Sequence, residues 1–319
     1  MPKVSVCIPI FGVEKYIERC ARSLFEQTLD DMEFIFVDDC TQDNSIAVLE
    51  TVLKEYPKCR CQTKIIHHEV NKGLSFARET GVKAATGDYI AHCDSDDWVE
   101  KEMYEVMYDY AVSGAYGIVK CAHYVASKSE IKKIPIYGEN SLVDNDDALG
   151  YLFSCHSWNT IWTLIVDRKM YENISFTRDA MLEDFVVVSQ LLLKRPKIGC
   201  VNTPYYYYYQ NSNSICGVVS IDAYVERGNQ AKRNISKILS YIPAEYSSNH
   251  PREIIRLKYE ARNRIIPIMN QLRNYKIWET TYPEIGLYPL VSPYLSLKEK
   301  LQYFLIQTRL YPLFKMLKE

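Results

Sequence analysis

The sequence predicts an α/β fold, with a mostly parallel central sheet flanked by helices and a helical extension at its C-terminal end. Three observations predict it. Between residues 4 and 93, short apolar runs alternate with amphipathic helical stretches, the pattern of repeated βαβ units with right-handed crossovers. Two of those runs end in carboxylates, Asp38-Asp39 and Asp94-Ser95-Asp96-Asp97, and open α/β sheets bind ligands outside the carboxyl ends of their strands. From Asp222 onward the periodicity is helical.

Residues 4–11 form an apolar run of strand length, and Pro9 near its end marks where ladder pairing stops. A helix follows over 13–28, with Ile17, Cys20, Leu24 and Thr28 on one stripe. Residues 32–37 read as a second strand, after which Asp43 and Asn44 cap a helix reaching Tyr56. Residues 63–68 read as a third strand. Asn71-Lys72-Gly73 turns into a helix over 74–85, and Gly87-Asp88 leads into a buried strand over 89–93. A helix near 100–110, a strand near 116–125, a polar loop over 128–145, a short helix over 146–153 and an apolar stretch over 158–166 come next. A strongly apolar helix opens at Met181-Leu182-Glu183-Asp184 and runs to Lys194. Short strands at 198–201 and 205–209 precede a polar loop at 210–214, and helices are expected near 222–240, 250–273 and 296–318. The domain organisation that follows is 1–215 for the α/β part and 216–319 for the helical extension.

Composition narrows the function classes. The 319 residues are 47% hydrophobic and 24% charged, ordinary for a globular protein with a sizeable core. A net charge of -2 argues against nucleic acid as the partner. Ten cysteines carry no C-x-x-C pair, and Met1-Pro2-Lys3 leads straight into a strand without a signal peptide, so buried thiols in a cytoplasmic protein are expected. No apolar run is long enough to cross a bilayer.

Three positions point to chemistry. Asp94, Asp96 and Asp97 crowd three carboxylates into four positions at a strand end, and a hard cation that also holds a diphosphate would remove their repulsion; a solvated turn is the plain alternative. Arg78 falls on the apolar face formed by Leu74, Ala77, Gly81 and Ala85, about 40° from Leu74 at about 100° per residue. There it either snorkels to the edge or meets an anion or polar ligand. Asp184 shares a helix face with Val188 and Leu191 and so points inward, although a carboxylate in a first turn also suits the helix dipole. No G-x-G-x-x-G follows the first strand, against a dinucleotide dehydrogenase. The histidines at 67, 68, 92, 123 and 156 lack metal-ligand spacing, His92 reads as a core histidine, and Trp158 and Trp162 read as core or an acceptor platform.

Taken together, five segments resemble the inverting family-2 glycosyltransferases of the GT-A-type fold, of the bacterial surface-polysaccharide type. They are Val4-Ser5-Val6-Cys7-Ile8-Pro9-Ile10-Phe11, Phe36-Val37-Asp38-Asp39, Asn71-Lys72-Gly73-Leu74-Ser75-Phe76-Ala77-Arg78, Asp94-Ser95-Asp96-Asp97 and Glu183-Asp184. The resemblance covers residues 3–215. It implies a donor site formed by Pro9, Phe11, Glu14, Asp39, Asn71, Gly73, Arg78, Asp94 and Ser95, with Asp39 on uracil and Asp94 on the ribose side. It implies Mg2+ or Mn2+ at Asp96 and Asp184 as general base. The implied partners are a nucleotide-sugar donor, UDP-linked, and a saccharide or lipid-linked saccharide acceptor. The chain departs from the family pattern at Phe11-Gly12 in place of Tyr-Asn, Glu79 in place of Asn, and Thr163 where many members carry lysine. A nucleotide-binding protein without transfer activity would lack the base, and a nucleotidyltransferase would carry a Gly-rich basic loop after the first strand, where Phe11-Gly12-Val13-Glu14 stands.

The last segment carries Lys298, Lys300, Arg309, Lys315 and Lys318 against Glu299 and Glu319. Its apolar stripes, Leu301, Phe304, Leu305 and Leu310, Phe314, Leu317, are separated by a break at Pro312. Both stripes fit either the inner face of the cell membrane or packing against the catalytic domain or a second subunit of a homo-oligomer.

Overall fold

Strand-forming runs dominate the first half of the chain, and the computed structural model places them in one sheet. It describes residues 1–136, 145–154, 158–211 and 220–317, the side chain at 146 excepted. The segments expected as loops at 128–145 and 210–214 lie partly outside the described residues, as do His156, Lys318 and Glu319.

In chain order the elements are β1 Val4–Ile10, α1 Ile17–Phe25, β2 Met32–Asp38, α2 Ser45–Glu55, α3 Pro57–Arg60, β3 Thr63–His67, α4 Leu74–Ala84, β4 Tyr89–His92, β5 Trp98–Val99, α5 Met103–Gly114, β6 Ile118–Ala126, β7 Ile131–Ile134, α6 Asn145–Phe153, β8 Leu164–Asp167, α7 Glu183–Leu193 and β9 Ile198–Tyr209. The helical region adds α8 Ile221–Tyr241, α9 Ala244–Asn249, α10 Pro251–Asn263, α11 Tyr275–Thr280, α12 Tyr288–Val291, α13 Leu297–Gln307 and α14 Tyr311–Met316. The sheet runs β3-β2-β1-β4-β8-β6-β9-β5, with β7 beside β6. Its first four strands are parallel, as alternation predicts, while β8 and β5 run antiparallel to their neighbours. β1 and β2 are buried along their whole length, which is why they read as continuous apolar runs.

Several boundaries differ from expectation, each for a local reason. β1 pairs with β2 through Ile10 but with β4 only as far as Cys7. The Pro9 carbonyl points to the β4 side and accepts from Ser95 Oγ, so the missing proline N–H lies where pairing has already ended. The helix expected over 13–28 is confined to Ile17–Phe25, because Val13 to Tyr16 turn into it and Thr28 is exposed. The two strands expected at 198–201 and 205–209 are one, β9. Exposed Asn202 and Thr203 bulge ahead of Pro204, which has no N–H for the ladder, and the register with β6 shifts there. Ile131–Ile134, expected as loop, is a hairpin partner of β6; as an edge strand facing solvent it carries too little apolar pattern to be read. The helix expected over 250–273 stops at Asn263, since Pro267 cannot continue it. The helical region does not stand apart: α8 packs on α7, and α10 packs on α6 and α8.

Candidate active site

Because β1, β2 and β4 are parallel, their C-terminal ends deliver Phe11, Asp39 and Asp94 to one edge of the sheet. α4 is drawn close to β1: a Cβ on Gly81 would lie 2.9 Å from Cys7 Cβ, so only glycine permits the approach. That approach carries Arg78, 1% exposed, under the site.

Arg78 does not snorkel. Its Nη2 donates to Asp94 Oδ1 at 2.6 Å, and its Nη1 donates to Asp184 Oδ1 at 2.7 Å and also to Glu183 Oε1. One buried cation thus joins the acidic turn after β4 to the acidic pair that opens α7. Burial alone would lower the guanidinium, but Asp94 and Asp184 hold it above the ordinary arginine value. Burial raises the Asp184 carboxyl, and Arg78 offsets part of that rise. Asp184 Oδ2 has no hydrogen bond among the described residues, and the side chain is 20% exposed, so one oxygen remains open to a substrate. Leu182, at φ 64, makes the sharp entry that turns both acids toward Arg78.

The Asp94–Asp97 turn is held from β9. The Asp94 N–H donates to Tyr206 Oη at 3.0 Å, Tyr206 Oη donates to Asp97 Oδ2 at 2.7 Å, and the Tyr209 N–H donates to Asp97 Oδ1 at 2.7 Å. Burial and the neighbouring Asp94 raise both the Asp96 and the Asp97 carboxyls. Asn211 Nδ2 reaches Asp96 Oδ2 at 3.3 Å, with Tyr16 Oη donating to Asn211 Oδ1. The Arg19 guanidinium stacks 3.7 Å from the centre of the Trp98 ring and donates to the Asp96 carbonyl.

Other expected site residues brace the loops around these acids. The Asp39 oxygens accept from the Lys72 and Gly73 N–H groups at 2.8 Å and pair with His68 Nδ1 at 2.7 Å. Of about four acceptor positions on a carboxylate, one is left for a ligand. Gly73 adopts φ 89, a conformation suited to glycine, at the start of α4, while Asn71 and Phe11 are exposed. Glu14 Oε2 accepts from the Asn44 N–H at the start of α2 and so braces that helix. Ser95 is buried and spends its hydroxyl on Pro9.

A model of the family described as "Glycosyl transferase family 2" matches residues 5–179, more than half of the chain. The chain belongs to glycosyl transferase family 2. Among curated relatives it is 31% identical over 242 residues to the Bacillus subtilis glycosyltransferase EpsJ, covering 73% of this chain and 69% of that one. It is 28% identical to the cholesterol galactosyltransferase of Borreliella burgdorferi over 69% of this chain and 63% of that relative, less than two thirds of the latter's length. Among solved structures, S. aureus TarS in complex with UDP superposes with a TM-score of 0.69 at 17% identity, covering 97% of this chain and 88% of that one. The fold is therefore the family's, and the protein is a glycosyltransferase. The family match ends before Glu183 and Asp184, which enter the site through Arg78.

Sequence reasoning missed several residues of this family-2 site. Tyr206 sits in a run of five tyrosines, and nothing in the run marks which one faces the acids. Arg19, His68 and Asn211 are signalled by no spacing. At Thr163, where a lysine is common in the family, Lys120 arrives from the neighbouring strand: its Nζ donates to Thr163 Oγ1 at 2.6 Å and Thr160 Oγ1 at 2.9 Å, fully buried. Burial lowers this ammonium to about 8. His92 is only half satisfied, with Nε2 3.0 Å from Tyr171 Oη and Nδ1 without a partner, and burial keeps it neutral. Trp158 and Trp162 are buried core residues.

Proposed function

We propose that the chain transfers a sugar from a UDP-linked donor to a hydroxyl of a saccharide or lipid-linked saccharide in polysaccharide biosynthesis, with inversion at the anomeric carbon. The observation that carries this reading is the Arg78 bridge, which sets a donor-side acid, Asp94, and a base, Asp184, on one guanidinium. Phe11, Asn71, the remaining acceptor position of Asp39, and Asp94 line the donor side. Pro9, Glu14, Gly73 and Ser95 hold its walls, and Arg78 fixes the carboxylates rather than offering a free donor pair.

Asp184 Oδ2 takes the proton of the acceptor hydroxyl as its oxygen bonds to the anomeric carbon. The bond from that carbon to the diphosphate oxygen breaks, and its electron pair leaves with the diphosphate. Burial makes Asp184 a stronger base than a solvated aspartate, and such help is worth ~10²–10⁴ in rate.

Among the described residues no three His, Cys, Asp or Glu side chains are grouped to cage a metal ion. The residues nevertheless fit a cation that draws most of its oxygens from a diphosphate and water. Asp96 is raised by burial and by Asp94, which marks an excess of negative charge there. Asp96 would hold Mg2+ or Mn2+, which supplies Lewis-acid stabilisation of the departing diphosphate.

A panel of nucleotide sugars assayed for nucleotide release with Mg2+, with Mn2+ and with EDTA tests the reading. Metal-dependent release from a UDP-sugar is expected. Release confined to GDP-sugars rejects uridine as the donor nucleotide, and full activity in EDTA rejects the metal.

A further inference from the structure

Exposed apolar side chains are not spread evenly over this molecule. Of fifteen large hydrophobic residues exposed among the described residues, nine lie between 287 and 317. Six of them form two outward faces: Leu297, Leu301 and Phe304 on α13, and Leu313 and Met316 on α14 with Leu317 just after it.

The inner faces of the same helices are already in use. Tyr303, Ile306 and Tyr311 are buried, Tyr303 Oη accepts from Arg262 and donates to Gly286 O, and Gln302 Nε2 donates to Tyr311 Oη at 2.9 Å. The two helices therefore turn their inner sides to the same core, and the break between them at Arg309 (φ 61) leaves both outer sides in solvent. Leu305 and Phe314, expected on the outward stripes, pack partly against the core; Leu297, Leu313 and Met316 take their place. At about 100° per residue, Leu297, Leu301 and Phe304 span about 60° of α13, with Lys298 and Lys300 on its two flanks and Ile306 opposite. Glu299, the acid of this helix, caps its N-terminus with Ser296 and at about 100° per residue falls on the side opposite the stripe. A narrow apolar stripe between cations suits a surface of acyl chains under anionic headgroups.

We propose that the outer face of α13 and α14 seats this protein on an anionic lipid bilayer, lying on the membrane surface. No helix among the described residues is long and apolar enough to cross one. The seating is independent of the sugar-transfer reading, and flotation does not depend on activity.

The test is flotation of the full chain with vesicles of phosphatidylcholine alone and of phosphatidylcholine mixed with phosphatidylglycerol. The protein should float with the mixed vesicles only, and less at high salt. The double variant Leu301→Asp, Phe304→Asp should stay at the bottom of the gradient while its thermal midpoint and nucleotide release match the parent, because both side chains are exposed. Lys298→Gln and Lys300→Gln should each weaken partitioning about fivefold. A parent that never floats overturns the proposal, as does a double variant that floats undiminished. A parent that is dimeric by light scattering and becomes monomeric in the double variant assigns the face to a second copy instead.

Discussion

Arg78 sits 1% exposed with Asp94, Glu183 and Asp184 around it, so its guanidinium and Glu183 are shielded from water, while Asp94 and Asp184 each keep about a fifth of the side chain in contact with it. The sequence exposed this residue as an anomaly, an arginine on an apolar helix face. It could not show which of two fates applied, because the deciding partner lies 106 positions away at Asp184. Lys120 left no such trace. It alternates with apolar neighbours inside a strand, and the hydroxyls that hold it come from 160 and 163. Its lowered pKa gives a signed prediction. In the unfolded chain the ammonium titrates near 10.4 and in the folded chain near 8, so between those values the unfolded state binds more protons and stability rises with pH. The desolvation cost is full below about 8. Lys120→Met should therefore gain stability relative to the parent at neutral pH, and that advantage should shrink by up to ~3 kcal/mol as pH approaches 10. Urea unfolding of both proteins across this range checks it; a constant difference would mean that the lysine is not buried as an ion.

At the scale of elements, the parallel strands were legible because burial on both faces makes them continuous apolar runs. β7 and the join within β9 were not, since an exposed edge strand and a bulge at Pro204 both erase the pattern that strands are recognised by. The approach to α7 was equally hidden. Asn234 of α8, 1% exposed, accepts from Thr177 Oγ1 at 2.7 Å and donates to the carbonyls of Asp179 and Met181 at 3.0 and 2.8 Å. It fixes the segment that turns through Leu182 into Glu183-Asp184. Asn234→Ala should cost about 1–3 kcal/mol of stability by leaving those groups unpaired, and should lower kcat more than it raises KM for the donor. Equilibrium unfolding and steady-state kinetics measure the two effects; lost stability with unchanged kcat would show that α8 only supports the fold.

For the whole molecule, the order of the five motifs gave the family before any coordinate, since their spacing follows the chain. Contacts between distant parts of the chain were beyond reach: Tyr206 on the acidic turn, Asp39 anchoring the loop at 71–73, and α8 bracing α7. The helical region read as an extension packs on α7, and we propose that through this contact α8 supports the position of Asp184. All of these contacts support the arrangement we propose, a single open carboxylate oxygen of Asp184 acting beside the donor-side acids. Asp184→Asn tests it most directly, because the amide keeps the size of the side chain and its Arg78 contact while removing the proposed base. Parent and variant should bind UDP with nearly equal affinity by calorimetry, while turnover of the UDP-sugar falls by ~10² or more. In the parent, kcat/KM should decline toward acid above the ordinary aspartate value of about 3.9, the direction in which burial moves Asp184. An Asn variant that turns over at the parent rate would contradict the account.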